Sequence, residues 1–152
     1  TFSADVNMQA ELWLYQNPRE AWVMTSLIAN ESKLGRARYF AAGVGQRYFL
    51  WADGMMTDQK TATDYMTIKP SWSFYAGWDF SLGQFLVVPF TSTLASYSTV
   101  AGLGATAGVK KIFNSTFSAS LQANYSYSYA VLSGTSVTIN MGQVLAGVGY
   151  AF

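Results

Sequence analysis

Five charged residues stand where a charge needs a physical reason: Asp5, Glu11, Arg47, Lys69 and Asp79. Each lies inside an alternating apolar/polar stretch, on its polar parity, whereas the other Lys, Arg, Asp and Glu sit in or beside the connections. Carboxylates facing cations in an enclosed space form either a structural network that keeps charges paired or a proton or ion relay that gates a passage. Counted from the strand ends, Glu11, Arg47 and Lys69 fall at similar heights, with Asp5 and Asp79 lower. The expectation is a buried ion-pair cluster of Glu11 with Arg47 and Lys69, whose simplest role is structural.

Catalysis and metal binding have little to build on. The chain has neither histidine nor cysteine, which removes Ser-His and Cys-His pairs, imidazole ligands, thiolate zinc sites and disulfides. Asp5 and Glu11 are six residues apart on one face, roughly 20 Å along a strand, too far for a paired-carboxylate mechanism. The abundant serines have no base beside them and read as lining. No enzyme activity, cofactor or metal is expected.

Composition says what must carry these charges. The 152 residues are 51% hydrophobic and 16% aromatic but only 11% charged, against about 25% in an ordinary soluble domain. No apolar run approaches the ~18 residues of a transmembrane helix. Nine Lys+Arg balance eight Asp+Glu; without a basic run, no nucleic-acid partner is expected. Lys110-Lys111 reads as a solvated turn. Residues 1–152 read as one domain. The start, Thr1-Phe2-Ser3-Ala4-Asp5, has no charged n-region or apolar h-region, so an exported form would be a mature one.

Alternation supplies the elements. Phe2, Ala4, Val6, Met8, Ala10, Leu12 and Leu14 share one parity, and Ser3, Asp5, Asn7, Gln9, Glu11 and Trp13 the other, which is strand spacing. The same pattern runs through Tyr65–Phe80 and Phe117–Tyr129. Further strands are expected at Ala21–Asn30, Arg36–Trp51, Phe85–Tyr97, Val100–Ile112 and from Val137 onward, the last with a parity switch near Gly142-Gln143 that a bulge would produce. Turns fall at Gln16–Glu20, Ser81–Gln84 and Phe113–Thr116, and the longest loop at Ala52–Thr63. This predicts an all-β fold: an eight-stranded antiparallel up-and-down barrel, closed because no segment remains to cover an open sheet.

Charge placement decides which face is outside. A soluble barrel would have to wet its outer wall almost without charge, whereas a transmembrane barrel needs an apolar band toward lipid and a polar lumen. Aromatics gather toward strand ends: Phe2, Trp78, Phe80, Phe85, Phe113, Phe117, Tyr150 and Phe152 at one, and Tyr15, Trp22, Tyr48, Trp51, Tyr127 and Tyr129 at the other. Such placement suits interfacial girdles. Gly43, Gly45, Gly102, Gly104 and Gly108 on the polar parity leave two readings: a narrow passage, or bare backbone packed beneath large inward residues such as Tyr39 and Tyr75.

The last residues, Gly147-Val148-Gly149-Tyr150-Ala151-Phe152, resemble the carboxy-terminal assembly signal of bacterial outer-membrane barrels. Gly147, Tyr150 and Phe152 match its glycine and aromatic positions, while Leu145 stands where the pattern has a polar residue. In strand count and size the whole chain resembles the small barrels of the OmpA, OmpX and NspA kind. The resemblance implies a bacterial outer-membrane location, contact with outer-membrane lipids and lipopolysaccharide, assembly by the outer-membrane insertion machinery, and both termini in the periplasm. The expected function is structural or interactive, with a side-chain-filled lumen. A narrow channel or carrier for small molecules is the alternative, and a soluble lipocalin-like carrier the third reading.

Overall fold

The computed structural model describes residues 6–17, 19–31, 36–60, 65–88, 96–114, 116–132 and 135–150; several strand ends, and 54–60 and 65–70, are described as backbone only. Seven strands make up these residues: β1 (Val6–Asn17), β2 (Glu20–Glu31), β3 (Arg36–Lys60), β4 (Tyr65–Val88), β5 (Ser96–Ile112), β6 (Phe117–Leu132) and β7 (Thr135–Tyr150). They form a single up-and-down antiparallel sheet in sequence order. The sheet curls, so side chains of β1 reach those of β6 and β7 across the interior.

Among the described residues the strands number seven and not the expected eight, because the expected turn at Ser81–Gln84 is strand. β4 keeps its alternation and its pairing with β3 and β5 through Ser81, Leu82, Gly83 and Gln84. Gly83 signals close approach rather than a turn: a Cβ there would run into the Phe40 carbonyl oxygen and lie 2.8 Å from the Ala41 Cα. The segment expected as a separate strand from Phe85 to Tyr97 is thus divided. Its first residues finish β4, and its last open β5.

The longest expected loop is also largely ladder. β3 and β4 stay paired through Lys60 and Tyr65, while β2 begins opposite Tyr48 and β5 ends beside Trp72. The outer parts of β3 and β4 therefore form a two-stranded arm that stands roughly 23 Å beyond the sheet at about 3.3 Å per residue. A register shift between Phe49 and Trp51 marks its root.

Odd strand number rearranges the ends. β1 begins and β7 ends at opposite ends of the sheet. The turn at Phe113–Thr116 shares an end with the β1–β2 turn and the arm. Phe113, Phe117 and Tyr150 consequently join Trp22 and Tyr48 at that upper end, and Tyr127 and Tyr129 lie toward the lower one.

Exposure divides the two faces. Met8, Met24, Phe40, Val44, Leu103, Leu121 and Val148 point outward and are exposed, Val148 at 94%. The concave face holds two layers. Toward the lower end Ala29, Ala41, Phe85, Val100, Ile139 and Met141 pack as an apolar core. Above it the inward residues are mixed, with the buried Ala21, Val23 and Tyr75 beside polar groups such as Arg47, Thr106 and Gln122. The core explains the apparent parity switch in the last strand: β7 pairs with β6 without a register shift, and Ile139 and Met141 are apolar on the inward parity because they join the core. The bulge expected near Gly142-Gln143 does not occur.

Candidate functional site

The upper interior is built from inward residues of six strands. Arg47, on β3 between the inward glycines' bare backbone and the opposite wall, is fully buried. Its Nη2 donates to Asp79 Oδ1 on β4 at 2.8 Å, and its Nη1 donates to the Trp78 carbonyl at 3.1 Å. The same Nη2 lies 3.7 Å from Glu11 Oε1 on β1. The Arg47–Asp79 pair fits flat against the wall because Gly45 stands beside it: a Cβ there would run into the Asp79 carboxylate and the Trp78 carbonyl.

Glu11 is held mainly by neutral donors. Gln9 Nε2 at 2.7 Å and Gln122 Nε2 at 2.9 Å donate to its Oε1, and Trp13 Nε1 at 2.8 Å donates to Oε2. Tyr75 donates to Gln122 Oε1 at 2.8 Å, and its ring lies where a Cβ on Gly108 would be, 2.7 Å from Cζ. Gln9 Oε1 accepts from Asn124 at 3.1 Å and Gln143 at 3.2 Å, and Thr106 donates to Asn124. Above them the Lys110 ammonium sits 3.9 Å from the Trp13 ring centroid, a cation–π arrangement. The Arg47 Nε has no hydrogen-bond partner among the described residues.

Of the residues singled out from sequence, the structure brings Glu11 and Arg47 together and adds Asp79, against the expectation of a lower position. Lys69 is elsewhere: its backbone pairs with Met56 out on the arm, and its side chain lies outside the described residues. Asp5 and Phe152 lie outside them as well. Gly147 is inward on β7 opposite Ser120, and Tyr150 points outward with its ring 5.7 Å from that of Phe117. Gln9, Trp13, Tyr75, Gln122 and Asn124 are partners that charge alone did not reveal, although each sits on the inward parity of its strand. Lys110 is no solvated turn residue. It is 9% exposed on the inward parity of β5, while Lys111 points outward, its ammonium 4.7 Å from the Trp72 ring centroid.

Chemically the arrangement is a connected set of donors and acceptors spanning the curl from wall to wall. Among the described residues no cluster of His, Cys, Asp and Glu has the make-up to hold a metal ion. No family model matches the chain, and neither a curated protein nor a solved structure matches it.

Proposed function

We propose that this chain is an integral outer-membrane β-barrel with a structural or interaction role and a lumen filled by its own side chains. One observation carries the reading: large apolar side chains are exposed on the outward faces, while the fully buried Arg47 and its carboxylate partners lie inside. That is the inverse of a water-soluble protein and suits lipid outside with polar groups satisfied within. No helix among the described residues is long and apolar enough to cross a membrane, so any crossing falls to the strands. The likeness of Gly147, Tyr150 and Phe152 to an assembly signal supports delivery by the outer-membrane insertion machinery into a bilayer of lipid and lipopolysaccharide.

Folding from urea into lipid vesicles tests this. The expected result is flotation with the vesicles, resistance to carbonate extraction, and a faster-migrating band on gels run without heating. A monomer that stays in solution without detergent and fails to float would leave the soluble carrier reading instead. The wall-to-wall network supports a closed lumen over a channel. Planar-bilayer recordings should accordingly show no discrete conductance steps.

A further inference from the structure

The outward face is not apolar throughout. Near its upper rim Trp22, Gln46 and Trp78 stand side by side in one row of the ladders, and Glu20, Tyr48 and Ala76 in the row above. They share the parity of the exposed Met24, Val44 and Phe80, so all point outward. The indoles of Trp22 and Trp78 lie 6.1 Å apart, centroid to centroid, at 85°, although their backbones are separated by two strand spacings, about 9.6 Å. They lean together across Gln46, whose carboxamide turns to the row above. There its Nε2 donates to Glu20 Oε2 at 3.2 Å, and its Oε1 accepts from the Tyr48 hydroxyl at 2.7 Å. A carboxylate is thus held by a carboxamide beside a phenol, directly above a corner of two indoles, on the outside of the wall.

We infer that this cluster binds a phospholipid headgroup through its primary ammonium, as in an ethanolamine lipid. Glu20 favours a cation and disfavours a headgroup that carries only phosphate. An ionised carboxylate accepts about four bonds, so it can take a ligand ammonium while keeping Gln46. Glu20 and Tyr48 are direct ladder partners, with Cβ atoms roughly 5 Å apart, which brings an ammonium on the carboxylate within the ~6 Å range of a cation–π contact with the phenol ring. Arg19, exposed at the turn just before Glu20, brings the opposite charge to the same rim for the phosphate. Beside the aromatics the outward side chains shrink to methyl groups: Ala107 follows Ala76 in the upper row, and Ala105 lies between Trp78 and Tyr125 in the lower. An acyl chain can lie in this shallow depression. A soluble amine would fill only the charged part, whereas a lipid fills both. The choice of a bilayer lipid rests on the membrane reading; the preference for a cation does not.

Short-chain lipids test the site in the detergent-folded protein, where no bilayer insertion is needed. Dihexanoylphosphatidylethanolamine, titrated against isotope-labelled protein, should shift the indole N–H signals of Trp22 and Trp78 and the Gln46 carboxamide to saturation. Its Kd should be roughly tenfold below that of the phosphatidylglycerol of equal chain length, as a cation–π contact and a charge-assisted bond together allow. Glu20→Gln keeps the shape and removes the charge, and should abolish the preference. Should that variant fail to fold, Tyr48→Leu removes the ring instead and should cut the preference as well. No saturable shift, equal affinity for the two lipids, or a preference that survives loss of the carboxylate or the ring overturns the proposal. Free phosphoethanolamine binding as tightly as the lipid would put a soluble cation there, and shifts that follow protein concentration without lipid would put a second copy there; either result overturns it too. Vesicle flotation of the unaltered protein reports the membrane reading separately, so flotation without the lipid preference removes this site alone.

Discussion

At the scale of single residues, Arg47 is the side chain on which the interior depends. A buried cation costs several kcal/mol to desolvate and is held only by good partners. Its two carboxylates are unequal: Asp79 is at 2.8 Å with a direct hydrogen bond, whereas Glu11 is at 3.7 Å and is satisfied by Gln9, Trp13 and Gln122. Asp79→Ala should therefore cost about 3–5 kcal/mol, the usual penalty for stranding a buried charge, and Glu11→Ala clearly less. Urea midpoints in micelles measure both. The double change Arg47→Met with Asp79→Leu should recover most of the loss, because it removes the charge together with its partner. Equal losses for Asp79→Ala and Glu11→Ala would show that both carboxylates hold the guanidinium alike. Gly45→Ala is expected to cost about 1–3 kcal/mol by overpacking against Trp78 and Asp79.

At the scale of elements, β4 decides the strand count. Residues 81–84 carry a serine, a glycine and a glutamine, which locally read as a turn. They nevertheless pair on both sides, with Gly83 opposite Ala41 and Val100. Amide exchange at Leu82–Phe85 should consequently be as slow as at Ala76–Phe80; fast exchange confined to 81–84 would restore the turn and with it the eight-strand count. The β3–β4 arm makes the opposite expectation. Its root is tied by the Phe49 N–H donating to the Arg19 carbonyl; beyond Phe49 and Trp72 its ladder is its own, and an isolated two-stranded ribbon adds little stability. Replacing Asp53–Ser71 by a short turn should leave the thermal midpoint of the remaining sheet within a few degrees. A drop well beyond that would mean the arm is packed against something.

At the scale of the whole molecule, the faces are inverted and the curl is open at one seam. If the outward band faces lipid, charge placed on it should be penalised by depth. Leu103→Arg, mid-strand on β5, should cost about 2–4 kcal/mol of folding free energy in vesicles, and Tyr48→Arg at the upper rim about 0–1 kcal/mol. Titrating folded fraction against urea in vesicles of fixed composition gives both values. Equal, small penalties at the two depths would indicate that water, not hydrocarbon, meets this face. The stagger between ladder and interior contacts, with Gln9 leading to Val137 by one route and to Gln143 by the other, is what a tilted, curled sheet requires.

The sequence by itself determined the strand class and the assignment of residues to inward and outward faces along most strands, because strand alternation is a local, period-two property. Only the tertiary structure decided the rest. Gly83 is a strand residue because β3 passes close against it, Lys110 is buried because Trp13 lies beneath its ammonium, and Asp79 joins Arg47 because the β3–β4 register sets Gly45 opposite it. Lys69 leaves the cluster because the same ladder runs on into the arm. Registers and wall-to-wall contacts depend on residues far apart in the chain, and local alternation carries no record of them.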